Sequence, residues 1–465
     1  MLRPQWAADW AQRARFVIFL VFLAACFLWG GASRLDVPGL AIVQPAAVLC
    51  IAAIFLVPGK IDLTAVRTPL LLLAALAIVM MVQLVPLPPA MWEKLPGHAP
   101  FADVARVAGA QRLWRPISLT PDLTLASLVA LVVPLAALLG FASLSKERRF
   151  RLLPYLLAAV GLSALLGLAQ IVGGPQSGFY RYETTNLGSA VGFFSNRNHQ
   201  AVLLAMGFPM LALWATMAMR DARRAPVRPW VATAAAIFLL PMLAVTGSRA
   251  GLLLGAVGMG FAWWQLRQRR QRSEQPERRT RFSSLVRIAP VLGGVGVLGA
   301  AFALSRAEAL DRLFGSNVLN DPRAQSSSVV VEMTRDFFPV GSGFGSFDPI
   351  FRVYEPLGLL SPLYFNHAHN DLVEIAITGG IAGLLLVVLF LVWVVPVAVR
   401  AVRAADRSRS DGFAKLACAM IVIVLASSLV DYPLRTPLLS AIFAIACGWL
   451  ASRNADTQSL SGRSH

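Results

Sequence analysis

Two histidines, His367 and His369, stand in the run YFNHAHNDLVEIAITGGIAG at 364–383, followed at once by Asn370, Asp371 and an apolar helix. Ionisable groups at membrane depth are costly and tend to mark functional sites. A histidine has an unperturbed pKa near 6.5, which suits it to take a proton from a hydroxyl at neutral pH. Asn370 or Asp371 can also cap the helix that starts there. Capping explains neither histidine. Alternation at 367, 369 and 371 would put three candidate ligands on one face of an extended segment, so a metal site is the competing reading. No second ligand cluster accompanies it, so the metal reading ranks below catalysis.

Three other segments place polar residues against apolar helices. TGSRAGLL at 246–253 puts Arg249 at a turn between two of them. An arginine there needs an anion, either Asp431 or Glu374 or a ligand. Arg323 follows Asp321 and Pro322, a helix start signal ahead of 322–338, where a helix N-terminus and a bidentate donor both favour an anion. Two arginines without an acidic cluster suggest pyrophosphate. GFFSNRNHQAVLL at 192–204 runs Asn196, Arg197, Asn198 and His199 straight into a helix, as a cap or as a substrate contact. The glycine-rich GSGFGSF at 341–347 lacks a preceding strand and a following Lys-Ser or Lys-Thr, so it reads as a flexible connection rather than a phosphate cradle.

The elements that position these residues are membrane helices. The chain has 465 residues, 57% hydrophobic and 14% charged, with a mean hydropathy of +0.64; soluble domains carry about 25% charged residues. The pattern predicts an all-α polytopic membrane protein, a single integral membrane domain over 1–465. Helices are expected near 16–33, 39–57, 69–86, 122–144, 152–173, 194–219, 230–246, 248–266, 285–305, 371–399, 413–430 and 434–452. The first is read as an uncleaved helix rather than a signal peptide. Cys26, Cys50, Cys418 and Cys447 sit singly in apolar runs and offer neither disulfides nor a zinc site. Most of the basic excess falls in segments such as KERRFR at 146–151, RDARR at 220–224 and the run at 267–281. By the positive-inside rule these are cytoplasmic, with both termini, and touch anionic lipid. The same distribution argues against nucleic acid. Two long outer loops remain: 87–121, with Trp92 and Trp114 suited to the membrane interface, and 306–370, a large, partly helical loop. His367, His369, Arg249, Arg323 and the 192–204 motif all fall on the outer side.

Over most of its length the chain resembles the O-antigen ligase and polymerase family of bacterial membrane glycosyltransferases. The family shows a His followed by Asn, Ser or Gln, nine residues, then G-x-x-G; here these are His369, Asn370, Gly380 and Gly383. Its two phosphate-binding arginines match Arg249 and Arg323, within the motif-bearing region 194–383. NRNH at 196–199 resembles its N-x-N-H segment. Leu384 stands where some lipopolysaccharide ligases have threonine, which tilts the expectation toward a capsule or exopolysaccharide polymerase. The resemblance implies about twelve helices of the C-type glycosyltransferase kind in the bacterial inner membrane, with a periplasmic active site. It implies a glycan donor on undecaprenyl or another polyprenyl pyrophosphate, held by Arg249 and Arg323. His369 would then serve as base toward a polysaccharide, lipid A-core or protein hydroxyl, by inverting displacement without a cofactor. His367, Asn370 and Asp371, with Asn196, Asn198 and His199, would support it. A transporter or flippase for lipid-linked sugars is the rival class, but it would spread cations through the membrane depth rather than gather them on one side.

Overall fold

The computed structural model describes residues 5–34, 37–217, 227–270, 326–360 and 365–461. They form α1 (Gln5–Trp29), α2 (Leu40–Leu56), α3 (Arg67–Gln83), α4 (Ala99–Val107), α5 (Pro121–Ala130), α6 (Val132–Ser143), α7 (Leu152–Gly173), α8 (Arg197–Thr216), α9 (Val227–Val245), α10 (Arg249–Arg270), α11 (Ser327–Phe337), α12 (Phe347–Tyr354), α13 (Asp371–Arg403), α14 (Arg409–Ser428) and α15 (Pro437–Ser461). Among the described residues 8 helical spans are long and apolar enough to cross a membrane, and α2 and the start of α15 are shorter apolar helices. The expected helix at 285–305 lies outside the described residues; each of the others has a counterpart.

Position in the bundle follows from where the apolar side chains fall. A helix that is apolar all round belongs inside. In α8 the residues from His199 to Leu213 are all buried, and α7, α9, α10 and α14 surround it. In contrast, α13 exposes Ile381, Leu385, Val388, Val392 and Val395 on its outer side, as a lipid-facing helix should.

The described parts of the two long loops, 87–121, 326–360 and 365–370, fold on each other over one end of the bundle. Strands β1 (Pro86–Leu87) and β2 (Arg115–Pro116) pair antiparallel and close the first loop at its base. Amphipathic α11 and α12 pack Val329, Met333, Phe337, Phe347, Ile350 and Phe351 against Ile377 of α13, with Phe101 of α4 at the edge. Trp92 is buried within this layer, its indole N–H donating to the Pro116 carbonyl at 2.7 Å, whereas Trp114 is exposed. The expected helix start at Pro322 lies outside the described residues.

Helix α13 is broken at Gly380, whose φ of 57° and ψ of −149° suit only glycine. The break strands carbonyls and an N–H that lipid cannot satisfy. The run at 341–347, with Pro339 just before it, meets them. Ser342 N donates to the Ile377 carbonyl at 2.9 Å, Gly343 N to Thr378 at 3.0 Å, and Ile381 N to Pro339 at 2.8 Å. Gln83, from the end of α3, donates to the Thr378 carbonyl at 2.9 Å and accepts from Phe344 N at 3.0 Å. A Cβ on Gly341 would lie 2.7 Å from Gly380 N, and Gly341, Gly343 and Gly345 all have positive φ. The expectation of a loose connection is therefore corrected: the glycines let the backbone come close enough to hydrogen-bond a broken helix.

Candidate active site

The Gly380 break leaves a short helix, 371–379, whose N-terminus faces the same end of the bundle as the folded loops. Asn370 caps it, its side chain accepting from Leu372 N at 3.0 Å and Val373 N at 3.2 Å. The bland reading of Asn370 holds. Capping leaves the residues just before it to arrange two histidines. His369 sits at φ 51°, a left-handed conformation that costs a non-glycine residue about 1–2 kcal/mol.

His369 Nδ1–H donates to Asp431 Oδ1 at 3.2 Å, and His367 Nδ1–H donates to Glu374 Oε1 at 3.0 Å. Each carboxylate is 1% exposed and each imidazole side chain 16%. Both carboxylates are ringed by donors, so the histidines must donate to them. Asp431 also accepts from Asn196 Nδ2 at 3.2 Å, Asn198 Nδ2 at 2.6 Å and Tyr432 N at 3.1 Å. Glu374 accepts from Ala368 N at 2.9 Å and pairs with Arg435 at 3.0 Å. Arg435 reaches Asp371 as well, at 3.5 Å. Tyr432 lies amid the cluster, its ring centroid 4.1 Å from His367, 5.0 Å from His369 and 5.2 Å from His199.

Burial pushes the His367 imidazole below its ordinary value of 6.5, although the Glu374 carboxylate pulls the other way. At Arg435 burial works against the charge, but Glu374 and Asp371 outweigh it and hold the guanidinium pKa above its usual value.

Of the residues singled out in the sequence, the fold gathers His367, His369, Asp371, Asn196, Asn198 and His199. The 192–204 motif does two jobs. Asn196 caps α8, accepting from Asn198 N at 2.8 Å, and both asparagine amides hold Asp431. His199 is buried, its Nε2 4.0 Å from Asp431 Oδ1. The three-ligand metal arrangement does not form: His367, His369 and Asp371 turn to Glu374, Asp431 and Arg435 respectively. Among the described residues no group of three or more His, Cys, Asp or Glu side chains is placed to hold a metal ion. Arg249 opens α10, and its turn lies beside the start of α8, where a Cβ on Gly247 would be 3.6 Å from Arg197 Nη1. Arg323 lies outside the described residues.

In the sequence Asp431 and Glu374 read only as ion-pair partners for Arg249, and Arg435 and Tyr432 are not singled out. The signal was present. DYPLR at 431–435 places two charged residues in a tight turn between apolar helices, where burial is as costly as at Arg249.

Fold and cluster define a polytopic all-α membrane protein with paired histidines and carboxylates at one end of its bundle. Residues 234–388 match the family model for O-antigen ligase, and this match supports the O-antigen ligase family for the chain. The matched segment contains Arg249, His367, His369 and the Gly380 break, while Asn196 and Asp431 lie outside it. A domain of this family implies ligase- or polymerase-type glycosyltransferase activity in surface polysaccharide assembly. No curated protein matches the chain.

Proposed function

We propose that the chain transfers a glycan from a polyprenyl-pyrophosphate donor to an acceptor hydroxyl at the periplasmic face of the bacterial inner membrane. The observation that carries this reading is the hydrogen bond from His369 Nδ1–H to buried Asp431. It fixes the tautomer with the lone pair on Nε2 and lets the carboxylate stabilise the imidazolium that forms when His369 takes a proton. The acceptor oxygen bonds to the anomeric carbon as its proton passes to His369 Nε2. The bond from that carbon to the phosphate oxygen breaks, and the electron pair leaves with the polyprenyl pyrophosphate. Attack opposite the leaving group inverts the anomeric centre. Arg249 and Arg323 bind the pyrophosphate and stabilise its growing charge, so the mechanism needs no metal. A flippase would have no use for a base oriented in this way.

The test is transfer by the purified full-length protein, using as donor the lipid-linked glycan fraction extracted from cells that lack the gene. His369→Ala should abolish product while the protein still inserts and still retains the labelled donor. Normal product formation by that variant would overturn the assignment of the base.

A further inference from the structure

Among the described residues the site contains two hydrogen-bonded histidine–carboxylate pairs, and the proposed reaction uses one. Three observations define the second. His367 is tied through the same ring atom as His369, Nδ1, to a buried carboxylate. The two imidazoles have the same 16% exposure. Both pack on the Tyr432 ring. Orienting His369 is not the task of His367, because Asp431 already does that. Nor does His367 bind the leaving group: a neutral ring whose N–H is spent on Glu374 presents only a lone pair, which repels phosphate oxygens. What that lone pair can receive is a hydroxyl or amine proton. A single hydroxyl has one proton, and His369 takes it. The lone pair of His367 therefore calls for another donor close to the first.

Resting on the glycan-transfer reading, we propose that His367 is a specificity-determining residue that accepts a hydrogen bond from the hydroxyl next to the attacking one, so that the acceptor is the vicinal diol of a sugar rather than an isolated alcohol. Glu374, held by Arg435, keeps the His367 ring aimed as Asp431 keeps His369 aimed.

The experiment offers the full-length protein three classes of acceptor, with the same extracted lipid-linked glycan as donor. These are a simple aryl glycoside bearing free vicinal hydroxyls, its complete set of monodeoxy analogues, and a serine-containing peptide. For the wild type, removing the hydroxyl adjacent to the accepting one should raise KM about tenfold, the size of one hydrogen bond, with kcat much less affected. His367→Ala should raise KM for the parent glycoside to the same degree and show no further penalty for the deoxy analogue. His367→Gln, whose amide oxygen can accept, should restore part of the preference and guards against a simple folding defect in the alanine variant. Equal KM for parent and analogues in the wild type, or equal transfer to the peptide, would overturn the inference while leaving glycan transfer standing. Absence of transfer to every acceptor would instead overturn the functional reading on which it rests.

Discussion

Asp431 holds its place through bonds from both Asn196 and Asn198, so the carboxylate beside His369 is fixed from a second helix. Asp431→Asn keeps the size of the side chain but removes the charge and can favour the wrong imidazole tautomer. Transfer should fall by about 10²–10⁴-fold, with donor retention unchanged in a filter-binding assay. Arg249→Ala should act the other way, weakening donor binding at the pyrophosphate more than it slows chemistry at saturation; unchanged donor affinity would count against that placement. His367 makes a prediction about pH. Its folded pKa lies below the ordinary 6.5, so the unfolded chain binds the proton more readily. Its contribution to stability is fully present above about pH 6.5 and is lost as pH falls through the folded value. Thermal unfolding midpoints should drop on acidification through that window, and His367→Gln should flatten the drop. At this scale the sequence displayed the histidines, because polar residues beside apolar runs are conspicuous. It did not display their partners, since the pairing of residue 369 with 431 is a property of helix packing and leaves no local spacing to read.

Gly380 and Gln83 set the geometry at the level of elements. A Cβ at Gly380 would meet the Pro339 carbonyl at 2.2 Å, and the backbone there is in a region open to glycine alone. Gly380→Ala should cost roughly 1–3 kcal/mol and displace the short helix that follows His367 and His369 and carries Glu374, so activity and thermal stability should fall together. Gln83→Leu preserves bulk but leaves Phe344 N and one bond to Thr378 unmatched. It should lower the unfolding midpoint while glycan transfer, measured well below that temperature, is largely retained. Helix positions were legible because apolar runs of membrane length are hard to misread. The break in α13 was not, since two glycines in an apolar helix are compatible with an unbroken one. The role of 341–347 was hidden for the same reason, because its backbone donors have no side-chain signature.

At the scale of the whole molecule, α8 sits inside the other described helices and brings the asparagines at its N-terminus to the turn between α14 and α15. That arrangement bears on biosynthesis. His369 and Asp431 are separated by 62 residues, so a chain emerging from the ribosome and entering the membrane helix by helix carries its histidines before it carries the carboxylate that orients His369. On the glycan-transfer reading the nascent protein should be inert until the hairpin of α14 and α15 inserts, and a lipid-linked donor that meets it early should be left intact. Withholding the last hairpin from one polypeptide and supplying it as another should test this directly. Residues 1–405 alone should insert without activity, and co-expression with 406–465 should restore transfer in proportion to their association.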